Sequence, residues 1–81
     1  MNKEWIKFNL REAIEELKGT VAEIDDADYD FGDYRVAIEH AYHHLNTAWN
    51  GRDATAVEAE PGSDELFYQW RSFPTDLYLG T

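Results

Sequence analysis

Leu10, Ile14, Leu17, Val21 and Ile24 recur at intervals of four, three, four and three residues, and Tyr34, Ile38, Ala41, Leu45 and Ala48 repeat the same intervals. Steps of three and four keep side chains on one face of a helix with 3.6 residues per turn. Two matched stripes in neighbouring runs predict two helices of similar length, and a short connection between them forces an antiparallel arrangement. The expected fold class is therefore all-α, built on an antiparallel helical hairpin. Its first helix runs over about 3–24, an acidic turn over 25–33 and the second helix over about 34–50. The simplest packing sets the two stripes face to face.

Local signals agree with these bounds. Lys3, Lys7, Arg11, Glu12, Glu15, Glu16 and Lys18 fill the polar sides of the first run, as an amphipathic helix requires. Gly19 costs about 1 kcal/mol relative to Ala inside a helix, so it weakens that run or marks a close approach. The segment DDADYDFGD at 25–33 holds five Asp and a Gly, residues that favour tight turns. Asp30 or Asp33 is the expected N-cap of the second helix. Gly51 follows the last periodic residues, where a left-handed glycine commonly ends a helix.

Past Gly51 the periodicity fades. A loop is expected over 51–62, and a short aromatic helix or extended tail over 63–81, with Ser63 as its N-cap and Leu66, Phe67, Trp70 and Phe73 near one face before Pro74. Trp5 and Phe8 lie on the side of the first helix opposite Leu10 and Leu17, so the tail is expected to fold over them, or a subunit interface to cover them. Trp5, Phe8, Phe67, Trp70 and Phe73 form the candidate interaction surface, because aromatic side chains dominate interface energetics.

With 81 residues and no cysteine, the chain has a small core and no disulfide framework, which leaves oligomerisation, a metal or a very good helix contact to stabilise it. A lone hairpin leaves the edges of its seam open, so two hairpins pairing into a homodimeric four-helix bundle is the expected assembly. The alternative is a monomeric three-helix arrangement closed by the tail. Seventeen acidic against seven basic residues, a formal charge of −10, disfavours direct binding to nucleic acid or to anionic lipid. The charged N-terminal run contains neither a secretory apolar region nor a membrane span, so a cytoplasmic protein is expected.

Three patterns bear on chemistry. His40 and His44 stand one helical turn apart, the spacing at which two imidazoles share a metal, with Glu39 as the candidate third ligand. On the wheel of the apolar stripe all three histidines, His43 included, turn mainly toward solvent, and a solvated polar face is the favoured reading. Asp26, Asp28 and Asp30 between two helices resemble the calcium loop of the EF-hand family, except that Gly32 falls one place late and Ala37 occupies the position of the bidentate acid. An acidic cap on a hairpin turn explains the same residues. Arg35-x4-His40-x-Tyr42 resembles the motif of HEPN-type helical ribonucleases. That resemblance implies Arg35 steadying an RNA phosphate and His40 in acid–base work across a dimer, while pairing of Arg35 with Glu39 one turn on is the simpler account. The function expected overall is that of a non-catalytic protein-interaction or regulatory module without a cofactor. A divalent-metal bundle using His40 and His44 and the HEPN-like ribonuclease are the alternatives.

Overall fold

The computed structural model of the chain describes residues 1–59 and 64–80. It contains α1 (Lys3–Glu23), α2 (Phe31–Asn50) and α3 (Asp64–Trp70), and no strand among the described residues. The expected all-α fold holds, with α1 and α2 packed against each other as the hairpin.

Asn2 caps α1, its side chain accepting from the Trp5 N–H at 3.0 Å. α2 begins three residues earlier than the stripe alone predicts. Asp30 accepts from the Asp33 N–H at 2.9 Å while Asp33 accepts from the Asp30 N–H at 3.1 Å, a reciprocal capping box that draws Phe31, Gly32 and Asp33 into the first turn. The open end of the hairpin is tied by Asn2, whose N–H donates to Arg52 O and whose amide donates to Ala54 O at 2.9 Å. Thr55 and Glu58 form a second capping box within the segment expected as plain loop. The expected cap at Ser63 lies outside the described residues.

The two stripes do not meet face to face as a whole. On α1 the seam is formed one position earlier, by Asn9, Ala13, Glu16 and Thr20; on α2 it keeps Ala41 and Ala48 of the stripe but takes Ala37 and His44 in place of Ile38 and Leu45. Asn9, Ala13, Thr20 and the three alanines of α2 are buried. The reason is steric: small side chains let two backbones approach closely, and the seam keeps the same four-three-four rhythm as the stripe beside it. Five of the six buried hydrophobic residues among those described are alanines, the sixth being Trp70.

Gly51 ends α2, though not by a left-handed turn. Its φ is −98°, and the need for glycine is spatial: a Cβ there would stand 2.9 Å from Trp5 Nε1, 3.0 Å from Thr47 O and 3.1 Å from the Trp70 ring. Gly19 is the opposite case, with nothing within 4 Å of such a Cβ. No helix among the described residues is long and apolar enough to cross a membrane.

Candidate functional site

Because α1 and α2 run antiparallel, the positions that follow the seam by one residue turn to the same side on both helices. Leu10, Ile14, Leu17, Val21 and Ile24 therefore share one face of the hairpin with Tyr34, Ile38, Tyr42 and Leu45. Apart from the half-buried Ile38, these side chains are exposed, from 39 % at Leu10 to 75 % at Val21. The chain presents 6217 Å² of accessible surface, whereas a compact monomer of 9.4 kDa presents about 5,000 Å². Its radius of gyration of 14.2 Å likewise exceeds the ~12 Å of a compact domain of this length. A contiguous apolar face of this kind is what marks an interaction surface.

The other side of the hairpin carries α3. Trp5 stacks on Phe8 at 5.7 Å and meets Trp70 at 6.1 Å between ring centroids, and Trp70 is buried. Phe67 stands edge-on to His43 at 5.0 Å, with the Arg71 guanidinium 5.0 Å above the Phe67 ring. Two asparagines one turn apart on α2 hold the end of α3. The Asn46 amide donates to Arg71 O at 2.8 Å, and the Asn50 amide donates to Trp70 O and Ser72 O at 2.8 and 2.7 Å. They satisfy carbonyls that a helix C-terminus leaves without intrahelical partners. The expected fold-back of the aromatic segment over Trp5 is thus present within the chain, while Phe67, Tyr68 and Phe73 keep about half of their surface exposed. Docked there, α3 leaves the apolar face on the opposite side uncovered.

The histidines do not all look to solvent, because the seam is rotated toward them. His44 enters it and donates from Nδ1 to Asn9 Oδ1 at 3.1 Å, Asn9 being committed through its amide to Trp5 O. His40 faces Glu16 at 3.4 Å across the same seam and stays mostly exposed. His43 is half-buried under Phe67, and the His43 and His44 rings lie 4.6 Å apart. Burial pushes His43 down to about 4, helped by the neighbouring His44, Arg71 and His40. Burial also lowers His44, against the opposing pull of Glu12 and Glu16.

Glu39 is not brought to His40 and His44. Its carboxylate accepts from Arg35 Nε at 2.8 Å, and no group of three or more His, Asp or Glu donors among the described residues is arranged to hold a metal ion. The carboxylate that does approach His40 is Glu16, contributed by the other helix. Arg35 and His40 of the HEPN-like motif diverge for the same reason, one pairing with Glu39 and the other with Glu16. In the acidic turn, Asp30 is spent on capping α2 and Gly32 lies inside the helix. Beside the turn, Glu15, Glu16, Glu23 and Asp33 rim a groove of about 410 Å³ between α1 and α2, which Gly19 and Tyr29 also line.

The sequence signals missed here are the buried row of Asn9, Ala13 and Thr20 with Glu16 between them, the alanines Ala37, Ala41 and Ala48 at matching steps on α2, and the pair Asn46 and Asn50. Comparison of the chain with protein-family models, curated proteins and solved structures found no match.

Proposed function

We propose that this chain is a non-catalytic protein-interaction module that works as a homodimer, two hairpins joining through their apolar faces into a four-helix bundle. The observation that carries the reading is the inversion of its side chains: small and polar residues, with Ala13, Ala37, Ala41 and Ala48 as the buried hydrophobic ones, make the hairpin seam, while Leu10, Ile14, Leu17, Val21, Tyr34 and Leu45 stand outside it. An alanine seam buries little apolar area, and burial contributes about 25 cal/mol per Å², so this hairpin draws much of its stability from whatever covers the face. The chain as a whole exposes about 1,200 Å² more than a compact monomer of its mass, and the apolar face spans the length of both long helices. Two copies are enough to cover it, because identical faces close under a two-fold axis.

Sedimentation equilibrium of the purified chain tests this. A dimer is the expected result, and a monomer at tens of micromolar, on the order of the weakest specific complexes, overturns it. The same cells with zinc added test the reading of His40 and His44 as metal ligands. On the present proposal the mass is unchanged by the metal, and a zinc-dependent mass would move the function to those imidazoles.

A further inference from the structure

We infer that the two copies pair head to tail, the acidic turn of one hairpin lying over the open end of the other, with the two-fold axis perpendicular to the helices. This rests on the homodimer reading and adds the direction of the partner. Two arrangements bring the apolar faces together under a two-fold axis. If the axis runs along the helices, both turns lie at the same end; if it runs across them, the turns lie at opposite ends. In both, every neighbouring pair of helices is antiparallel, so helix dipoles do not choose between them.

Charge does choose. Residues 14–40, the turn-side half of the hairpin, hold nine acidic and two basic side chains, a net of −7, whereas the remainder of the chain holds eight acidic and five basic, a net of −3. Setting turn against turn places the two most negative regions together, and like charges at close range repel. Head-to-tail pairing separates them. It also lays α1 over α1 of the other copy with Ile14 and Leu17 near the centre, which brings Lys3 and Lys7 level with the other copy's 25–28 turn, rich in Asp. Both lysines are exposed, as are Asp25, Asp26 and Asp28. The bulkier members of the stripe are distributed along its length, so packing does not oppose this direction.

The chain has no cysteine, so Asp28→Cys gives a unique attachment point at the exposed turn for a nitroxide label. The experiment is the label-to-label distance in the full-length dimer, measured by pulsed electron resonance after sedimentation has given its mass. Head-to-tail pairing expects a separation of at least about 30 Å, the length of a 21-residue helix. A distance below about 20 Å, as two stacked hairpins with their turns at one end require, overturns the direction and leaves the homodimer standing. A labelled chain that sediments as a monomer, when the unlabelled chain does too, overturns the homodimer itself.

Discussion

Asn9 and His44 meet across the hairpin seam with Nδ1 of the imidazole 3.1 Å from the amide oxygen, so a stripe of apolar residues stands beside a polar contact that holds the two helices in register. The neutral imidazole suits this contact, and His43 beside it is also held neutral by burial. Both groups titrate below the ordinary histidine value of about 6.5. A group whose folded pKa is depressed binds fewer protons in the fold than in the unfolded chain. The stability it contributes is complete above pH 6.5 and is lost as the pH falls through the folded value, about 4 for His43. Circular-dichroism melts at fixed protein concentration are expected to move down by about 5 °C between pH 7 and pH 4.5. In the double variant His43→Gln, His44→Gln the midpoint should be flat over that window. A wild-type midpoint that is equally flat would contradict the burial assigned to these rings.

The two glycines separate backbone cost from spatial need. Gly19→Ala meets open space and removes the entropy cost of glycine in a helix, so it should stabilise the chain by about 0.5–1 kcal/mol. Gly51→Ala drives a methyl into Trp5, Thr47 O and Trp70 and should cost about 1–3 kcal/mol. Urea titration of both variants checks the signs, and a destabilised Gly19→Ala would place an unseen contact over that part of α1.

Substitutions on the two faces should have different consequences. Leu45→Asp adds a charge to the exposed face and is expected to halve the sedimenting mass with most helical ellipticity retained. Ala41→Asp buries an unpaired carboxylate in the seam, where Ala41 is 4 % exposed, and should unfold the chain at a cost of several kcal/mol, about 3 or more. If Leu45→Asp remains dimeric, the face containing Leu45 is not the interface.

The anchoring of α3 depends on Asn46 and Asn50. The double replacement Asn46→Ala, Asn50→Ala removes three hydrogen bonds to carbonyls at the end of α3, at about 1 kcal/mol each. Faster proteolysis after Arg71 with an intact hairpin is the expected outcome. His43→Asp, which a solvent-facing histidine would tolerate, should give the same result by placing a charge under Phe67. Cleavage at the wild-type rate in both variants would mean that α3 is held elsewhere.

The hairpin was legible in the sequence because two mechanisms agreed: apolar periodicity gave the helices, and the Asp-rich turn gave the reversal. The orientation of α1 about its own axis was not legible, and that of α2 only in part, through Ala41 and Ala48. Leu10, Ile14 and Leu17 outrank Asn9, Ala13 and Glu16 in hydrophobicity, and a rule that buries the largest side chains selects the wrong row when a seam is set by backbone approach. The same one-residue error sent His43 and His44 to solvent. Glu39 pairs with Arg35 one turn before it, as their spacing leads one to expect, and the carboxylate that approaches His40 is Glu16 from across the seam. Gly51 was recognised as a stop signal, but the Trp5 and Trp70 rings that exclude a Cβ come from 46 residues before it and 19 after it, beyond the reach of any local pattern. The fold-back onto Trp5 was foreseeable because Trp5 and Phe8 lie off the apolar stripe of α1 and the segment after Gly51 is rich in aromatic residues.

All three tryptophans sit at the open end of the hairpin: Trp5 against Trp70, and Trp49 beneath the Arg52 guanidinium with its indole N–H on Asp76. The turn end has Tyr29, Phe31 and Tyr34 but no tryptophan. Intrinsic indole emission therefore reports one end of this molecule and is silent about the other, so a chain that unzips from its acidic turn would keep its fluorescence while losing half of its helices.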